Sequence, residues 1–251
     1  MTSFRDHFSR QAHTYARFRP HYPRALFAYL ASLAPGRRLA WDCGTGNGQA
    51  ALALAEYFER VVATDASAEQ IAYAPPHARV EYRVERAEDV RLPAGSVDLV
   101  TAAVAVHWFD FDRFYATVRQ ALAPGGVLAV WTYHLPAIAP EIDRVLARYE
   151  VDVLAGYWPE RLRYLVEHYR TLPFPFEELE APEFTLEADW DLPQLLGFLD
   201  SWSATRRYEE AQGRHPLAQV WPELAQAWGA PERKRAIRWP LYMRVGRPGL
   251  P

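Results

Sequence analysis

Residues 38–43, RLAWDC, form a short apolar run that carries an acid near its end, and the chain then breaks into Gly44-Thr45-Gly46-Asn47-Gly48. The segment that follows, QAALALAEYFE, is rich in alanine and leucine and has strong helix propensity. A strand that enters a tight turn and leaves as a helix needs glycine for two reasons. Glycine reaches φ > 0 without steric cost, and it lets a ligand approach bare backbone. Residues 61–65, VVATD, are again β-branched and apolar and again end in an acid, as a buried parallel strand would. Two strand tips of this kind separated by one helix commit the chain to βαβ geometry.

The same alternation continues. SAEQIAYA opens on Ser67, carries Glu69 and Gln70 in its first turn, and is stopped by Pro75-Pro76. VEYRVE (80–85) alternates as a strand, and VDLVTAAVAV (97–106) is a continuous apolar run. FDRFYATVRQALA is predicted as a helix capped by Asp110 or Asp112 and ended by Pro124-Gly125-Gly126, with GVLAVWTYH as the next strand. Strands alternating with helices over 38–134 predict βαβ units, right-handed crossovers and a doubly wound three-layer α/β domain.

After residue 135 the composition shifts: thirteen of the 20 prolines and six of the nine tryptophans lie beyond it. Residues 137–170 are helical in pattern and rich in Tyr and Arg, where a cap over a site could be inserted. FTLEADW (184–190) reads as a strand, DLPQLLGFLDSW as a helix, RRYEEAQ and HPLAQVWPELAQAWG as further helices, and AIRWPLYMRVGR (236–247) as a closing strand. No internal repeat or linker-like tract interrupts the chain. One domain over 1–251 with a helical insertion is expected, a detachable helical cap at 135–180 being the alternative.

Composition narrows the function classes. Half the residues are hydrophobic and 24% are charged, which is ordinary for a soluble globular chain and excludes wholesale disorder. A net charge of −3 gives no dominant attraction to nucleic acid or to an anionic membrane. Cys43 is the single cysteine, so no intramolecular disulfide and no multi-cysteine metal site can form. The eight histidines lack HxxxH or HxxH spacing, so no metal is expected. The opening residues alternate charge with aromatics and lack an apolar h-region, and no run is long enough to span a bilayer. A cytoplasmic protein is expected.

What the glycine turn binds is constrained by Asp65. A carboxylate at the tip of the next strand can accept two hydrogen bonds from a ribose diol. That points to an adenosine-type ligand, with nicotinamide or flavin dinucleotides the first rivals and a plain glycine turn the remaining alternative. The dinucleotide fingerprint needs a third small residue three places after its second glycine, and Gln49 stands there. No lysine follows the turn to make a phosphate-binding loop. Asp42, just before the turn, suits a cationic ligand and opposes a pyrophosphate.

Taken together, DCGTGNG, VVATDAS, RAEDVRLPAGSVDLV, HWFD and LAPGGVLAVW resemble, in order and spacing, the successive motifs of class I S-adenosylmethionine-dependent methyltransferases. The nearest branch is the small-molecule group called methyltransferase type 11, which includes trans-aconitate methyltransferase-like enzymes. The opening AHTYARFRPHYP and the closing WSATRRYEEAQGRHPL and RWPLYMRVGR are similar to it as well, so the resemblance spans nearly the whole chain. It implies a Rossmann-like, mostly parallel seven-stranded sheet with an antiparallel last strand, S-adenosylmethionine as cofactor, and a small-molecule methyl acceptor.

Residue roles follow from the resemblance. The backbone of Gly44, Thr45 and Gly46 would lie against the methionine part of the cofactor, with Asp42 near its ammonium or sulfonium and Asp65 on the ribose hydroxyls. Ala66 and Gln70 would line the adenine face, although many relatives carry an apolar residue where Gln70 stands. Ala87 and Glu88 would read the adenine edge, and Ala103 would offer its carbonyl to the methionine amine. Tyr15, Arg19 and Tyr22 belong to the N-terminal segment (1–35) that in relatives folds over the cofactor. Arg19 could pair with the methionine carboxylate through its planar fork.

Methyl transfer from a sulfonium is an in-line displacement that needs alignment, a dry cavity and a neutral or deprotonated nucleophile. His107-Trp108 follows the fourth strand, where the transferred methyl should be. His107 is a candidate general base or a packing residue. Trp108 is a candidate wall that could also steady the sulfonium by cation–π attraction. Tyr22, Tyr133, His134, Tyr157, Trp158, Trp202 and Arg206 are candidate acceptor-side residues, and Arg206 or Arg207 could anchor a carboxylate. O-methylation of a carboxylate or hydroxyl is expected, by a monomer or homodimer. The rival readings are an RNA or tRNA methyltransferase, a nicotinamide-dependent oxidoreductase, and a cofactor-binding module without transfer activity. The stretch after the fourth strand, AVHWFD, has no catalytic cysteine of the nucleic-acid type.

Overall fold

The computed structural model describes residues 20–249, so Tyr15 and Arg19 lie outside the described residues. Five strands run parallel: β1 (Leu39–Cys43), β2 (Arg60–Asp65), β3 (Val80–Val84), β4 (Val97–Ala103) and β5 (Leu122–Thr132). The sheet continues through β8 (Arg235–Arg247) and ends on β6 (Glu177–Leu179), in the order β3-β2-β1-β4-β5-β8-β6. β8 is antiparallel to both of its neighbours.

This main path holds the expected seven strands. An eighth, β7 (Phe184–Trp190), pairs with the first half of β8, from Arg235 to Leu241, while residues 242–246 of β8 pair with β5. The closing strand therefore serves three partners, β7 along its first half and β5 and β6 along its second. The short β6, inside the segment expected to be helical, goes unmarked in the sequence because three residues carry no periodic signal.

The apolar runs of the parallel strands reflect burial on both faces. Alternate residues divide between two cores. Ala40, Val61, Ala63, Leu99, Val127, Ala129 and Trp131 face one side, and Trp41, Val62, Val100, Leu128 and Val130 face the other. On the first side lie α1 (Arg24–Leu33) and α2 (Gln49–Leu54), with Phe27 edge-on to Trp131. On the second lies α4 (Phe111–Ala121), whose Phe114 and Val118 are fully buried. Its N-cap is Asp110, whose side chain accepts from the Arg113 N–H. The short α3 (Ala68–Ala72) is capped by Ser67 in the same way.

After β5 the chain builds α5 (Pro140–Arg148), a wide π turn at Tyr149–Val153, and α6 (Arg163–Val166). Then come α7 (Leu192–Asp200), α8 (Ser203–Gln212) and α9 (Trp221–Trp228). Asp191 and Gln194 form a reciprocal capping box at the start of α7. Trp190, Trp228 and Trp239 are core residues; Trp190 and Trp239 meet edge-on at 4.9 Å. Among the described residues no helix is long and apolar enough to cross a membrane.

Candidate cofactor and acceptor site

The strand order reverses direction between β1 and β4, and a crevice opens at the carboxyl ends of the strands there. Gly44, Thr45 and Gly46 from the β1 tip, Asp65 and Ala66 from the β2 tip, and Ala103 from the β4 tip all line it. Gln70, Ala87 and Glu88 line it as well. Gly44, Gly46 and Gly48 have φ of 62°, 57° and 85°, which explains three glycines in five residues. A Cβ on Gly44 would come within 2.5 Å of the Ala105 Cβ, whereas one on Gly46 would meet only Gln70, at 3.8 Å. The first glycine is thus required by packing and the second leaves its face open to the crevice.

Asp65 is aimed by backbone. Its Oδ2 accepts from the Gly46 N–H at 2.9 Å and its Oδ1 from the Ser67 N–H at 2.8 Å. A rigid carboxylate results. Glu88 is buried, and its Oε1 accepts from the Asp110 N–H at 2.8 Å. That bond ties the crevice floor to the start of α4.

Asp42 does not line the crevice. Its carboxylate is fully buried and accepts from Thr45 Oγ1 at 2.6 Å and from Thr101 Oγ1 at 2.7 Å. Burial pushes its pKa up to about 6 against these two hydroxyls, which pull it down, with the nearby Asp65 charge pushing up again. Its place is beneath the turn, holding Thr45 to β4. Tyr22, a candidate both for the segment over the cofactor and for the acceptor side, lines the first crevice and packs edge-on against Trp131 at 5.6 Å.

A second cavity, about 440 Å³ and mostly apolar, lies behind this crevice. Val104 and Trp108 line both. Val104 has φ 52°, an outlying conformation for a β-branched residue, and its N–H donates to the Trp131 carbonyl at 2.8 Å. This ends β4 at Ala103, short of the apolar run, and turns the chain into a 3-10 turn at Val106–Trp108. Strain of this kind collects where a wall must have one shape.

Tyr133, His134, Trp158 and Trp202 line the second cavity, together with His107. Tyr157 and Arg206 are not among its lining residues. The Tyr157 hydroxyl accepts from Gln212 Nε2 at 2.7 Å instead. His107 is buried, with Nδ1 2.8 Å from the Tyr169 hydroxyl. Burial, with a smaller contribution from the Arg161 charge, pulls its pKa down to about 3. Such an imidazole stays neutral and takes up a proton weakly, so its geometry is that of a wall residue.

Glu150, absent from the sequence candidates, is buried in this cavity with its Oε1 2.5 Å from His134 Nε2. It sits in the π turn, whose i→i+5 bond, Leu154 N–H to Tyr149 carbonyl at 3.0 Å, widens the helix there. In a regular continuation of α5 the spacing of YEVDVL reads as an ordinary charged helix face. Phe109, Ala105 and Gln49 also line the cofactor crevice and were missed, since their types carry no chemistry by themselves.

The profile of the methyltransferase-domain family matches residues 41–130, which span the glycine turn through β5. A candidate methyltransferase of Dictyostelium discoideum is 31% identical over 253 residues, covering 98% of this chain and 96% of the relative. A candidate S-adenosylmethionine-dependent methyltransferase of Saccharomyces cerevisiae is 26% identical over 80% of this chain and 81% of its own length. Among solved structures, a candidate type II methyltransferase from Anaeromyxobacter dehalogenans superposes with a TM-score of 0.85 at 49% identity, covering 92% of this chain and 100% of that one.

Proposed function

The chain belongs to the class I S-adenosylmethionine-dependent methyltransferases, and from that membership we propose that it methylates a small organic molecule held in the cavity behind Trp108. The nicotinamide-dependent alternative falls with the same membership. The observation that carries the reading is the meeting of two cavities at one wall, Val104 and Trp108, with the glycine turn and Asp65 in the first and an apolar lining in the second.

The crevice residues fit the cofactor. Asp65, held by two backbone N–H groups, is oriented to accept from a ribose diol. The open face of Gly46 allows a ligand to lie on bare backbone. When bound, S-adenosylmethionine supplies a methyl group already activated on sulfur. The chain supplies alignment, worth on the order of 7–11 kcal/mol, by setting the two cavities against each other where Val104 and Trp108 line both. The aromatic lining of the second cavity keeps water away from the acceptor.

Calorimetric titration with S-adenosylhomocysteine tests the reading. The wild type should bind, and Asp65→Ala should weaken binding roughly 10- to 100-fold, the loss expected for a charge-assisted hydrogen bond of about 1.5–3 kcal/mol. No binding by the wild type, or equal affinity in the variant, would remove it.

A further inference from the structure

The acceptor cavity contains one pair of titratable groups that the transfer itself has not used. His134 lies two residues beyond the end of β5, and Glu150 reaches it from the π turn. Their 2.5 Å contact involves the ring's Nε2, so Nδ1 is the nitrogen left for another partner, and no described residue hydrogen-bonds to it. The Trp158 indole N–H donates to the Glu150 backbone carbonyl at 3.2 Å, fixing the turn against the cavity lining. His134 is also faced by His168, 6.1 Å away ring to ring, which stacks flat on Tyr242. His168 is held neutral-leaning by partial burial and by the two basic neighbours His134 and Arg170.

The remaining charges of the cavity are Glu160 and Arg163, which pair with each other at 3.4 Å and are largely exposed at 88% and 56%. Among the described residues no arginine or lysine is therefore buried in the lining to anchor a carboxylate. What the lining offers is aromatic faces: Trp158 and Trp202 lie 5.4 Å apart, and Tyr133 and Phe198 join them. Flat apolar molecules suit such a lining. A carboxylate acceptor would need no base, so a half-buried histidine paired with a buried glutamate would have no purpose beside one.

We propose that His134, oriented by Glu150, is the proton acceptor of the transfer, and that the acceptor molecule is a neutral aromatic compound bearing a hydroxyl group. The proposal rests on the methyltransferase reading above. As the hydroxyl oxygen forms its bond to the methyl carbon, the carbon–sulfur bond breaks and its electron pair stays on sulfur. The hydroxyl proton passes to His134 Nδ1. The products are a methyl ether, S-adenosylhomocysteine and an imidazolium paired with the Glu150 carboxylate. His134 is the catalytic residue, and Glu150 is a positioning residue that acts through it.

The experiment uses the full chain with S-adenosylmethionine and four probes: 2-naphthol, 4-nitrophenol, 2-naphthoate and tryptamine. Wild type should methylate 2-naphthol and leave the carboxylate and the amine untouched. His134→Asn should lose roughly 10²–10⁴-fold on 2-naphthol, the range for removing a general base, and Glu150→Gln should lose about 10-fold. At mildly alkaline pH 4-nitrophenol is already ionised and has no proton to give. Both variants should methylate it within about threefold of wild type, which a merely structural role would not allow. A second readout needs no turnover: 2-naphthol should bind the S-adenosylhomocysteine complex several-fold more weakly in His134→Asn, by calorimetry. Loss of both phenols together, retention of 2-naphthol activity in His134→Asn, or preference for the carboxylate or amine would each overturn the proposal. S-adenosylhomocysteine affinity should stay within twofold in both variants. Failure of the wild type to bind it would instead strike the methyltransferase reading.

Discussion

The cofactor crevice is assembled from the tips of three adjacent parallel strands, whereas the acceptor cavity beside it is assembled from irregular backbone. In the crevice, each position is set by local geometry: three glycines at positive φ and a carboxylate caught by two N–H groups. In the cavity, the walls come from a strained Val104, a 3-10 turn and a π turn. A ligand common to many enzymes can be gripped by a structure that regular elements make automatically. A private substrate needs a surface that regular elements do not make, and the cost appears as backbone strain.

The sharpest way to separate the two regions is to fill one and leave the other. Gly46→Val places a β-branched side chain at φ 57° into open space on the crevice side, with nothing nearer than Gln70. The folding cost should be the left-handed penalty, about 1–2 kcal/mol. S-adenosylhomocysteine affinity should fall by about 10³-fold or beyond detection in calorimetry. Trp158→Leu, in the other cavity, should leave that affinity within twofold. Equal losses in both variants would mean that the two cavities are one site in energetic terms.

The regions should also titrate in opposite directions. Asp42, beneath the glycine turn, has its pKa raised from 3.8 to about 6 by burial, so the native state holds a proton that the unfolded chain releases. Its contribution is fully present below pH 4 and is lost as pH rises to about 6, a change of about 3 kcal/mol. His107, in the acceptor wall, has its pKa lowered from 6.5 to about 3, so the unfolded chain binds a proton that the native state refuses. Its contribution is present above pH 6.5 and is lost as pH falls toward 3, again by about 3 kcal/mol by pH 4.5. Between pH 4 and 6 the two slopes oppose each other. Urea denaturation across this range should therefore show a shallow pH dependence in wild type. Asp42→Asn should leave a slope that rises with pH, and His107→Asn one that falls. A wild-type slope unchanged in either variant would count against the burial that sets these values.

The same division governs what the amino-acid sequence discloses. Gly44, Asp65 and the Asp110 cap are legible because a short-range backbone requirement selects the residue type. The strand at Phe184–Trp190 is legible because its burial alternates. Its partner is not, because nothing local says that β8 pairs with β7 first and β5 afterwards. The hydrogen bond from Thr101 to Asp42 is not legible, because only the pairing of β1 with β4 brings the two together. Glu150 is the clearest loss: one extra residue in a helical turn changes which side chain faces inward, and no propensity scale registers that.

One residue crosses the boundary, and its removal gives the smallest but most diagnostic effect. Arg161, from the segment between α5 and α6, donates through Nη1 to the Phe109 carbonyl at 2.6 Å and to the His107 carbonyl at 3.3 Å. Those carbonyls flank Trp108, which both cavities share. Arg161→Gln should loosen the 3-10 turn by about 1.5 kcal/mol, the lower end for a charged donor. The loosened wall matters most where alignment is needed, so kcat should fall about 5- to 10-fold with the acceptor, with its KM changed less. S-adenosylhomocysteine affinity should change by less than threefold, because the glycine turn and Asp65 are held by bonds that Arg161 does not touch. An equal loss of cofactor affinity would show that the turn carrying Trp108 is a hinge for both cavities, and that the crevice depends on the irregular half of the molecule after all.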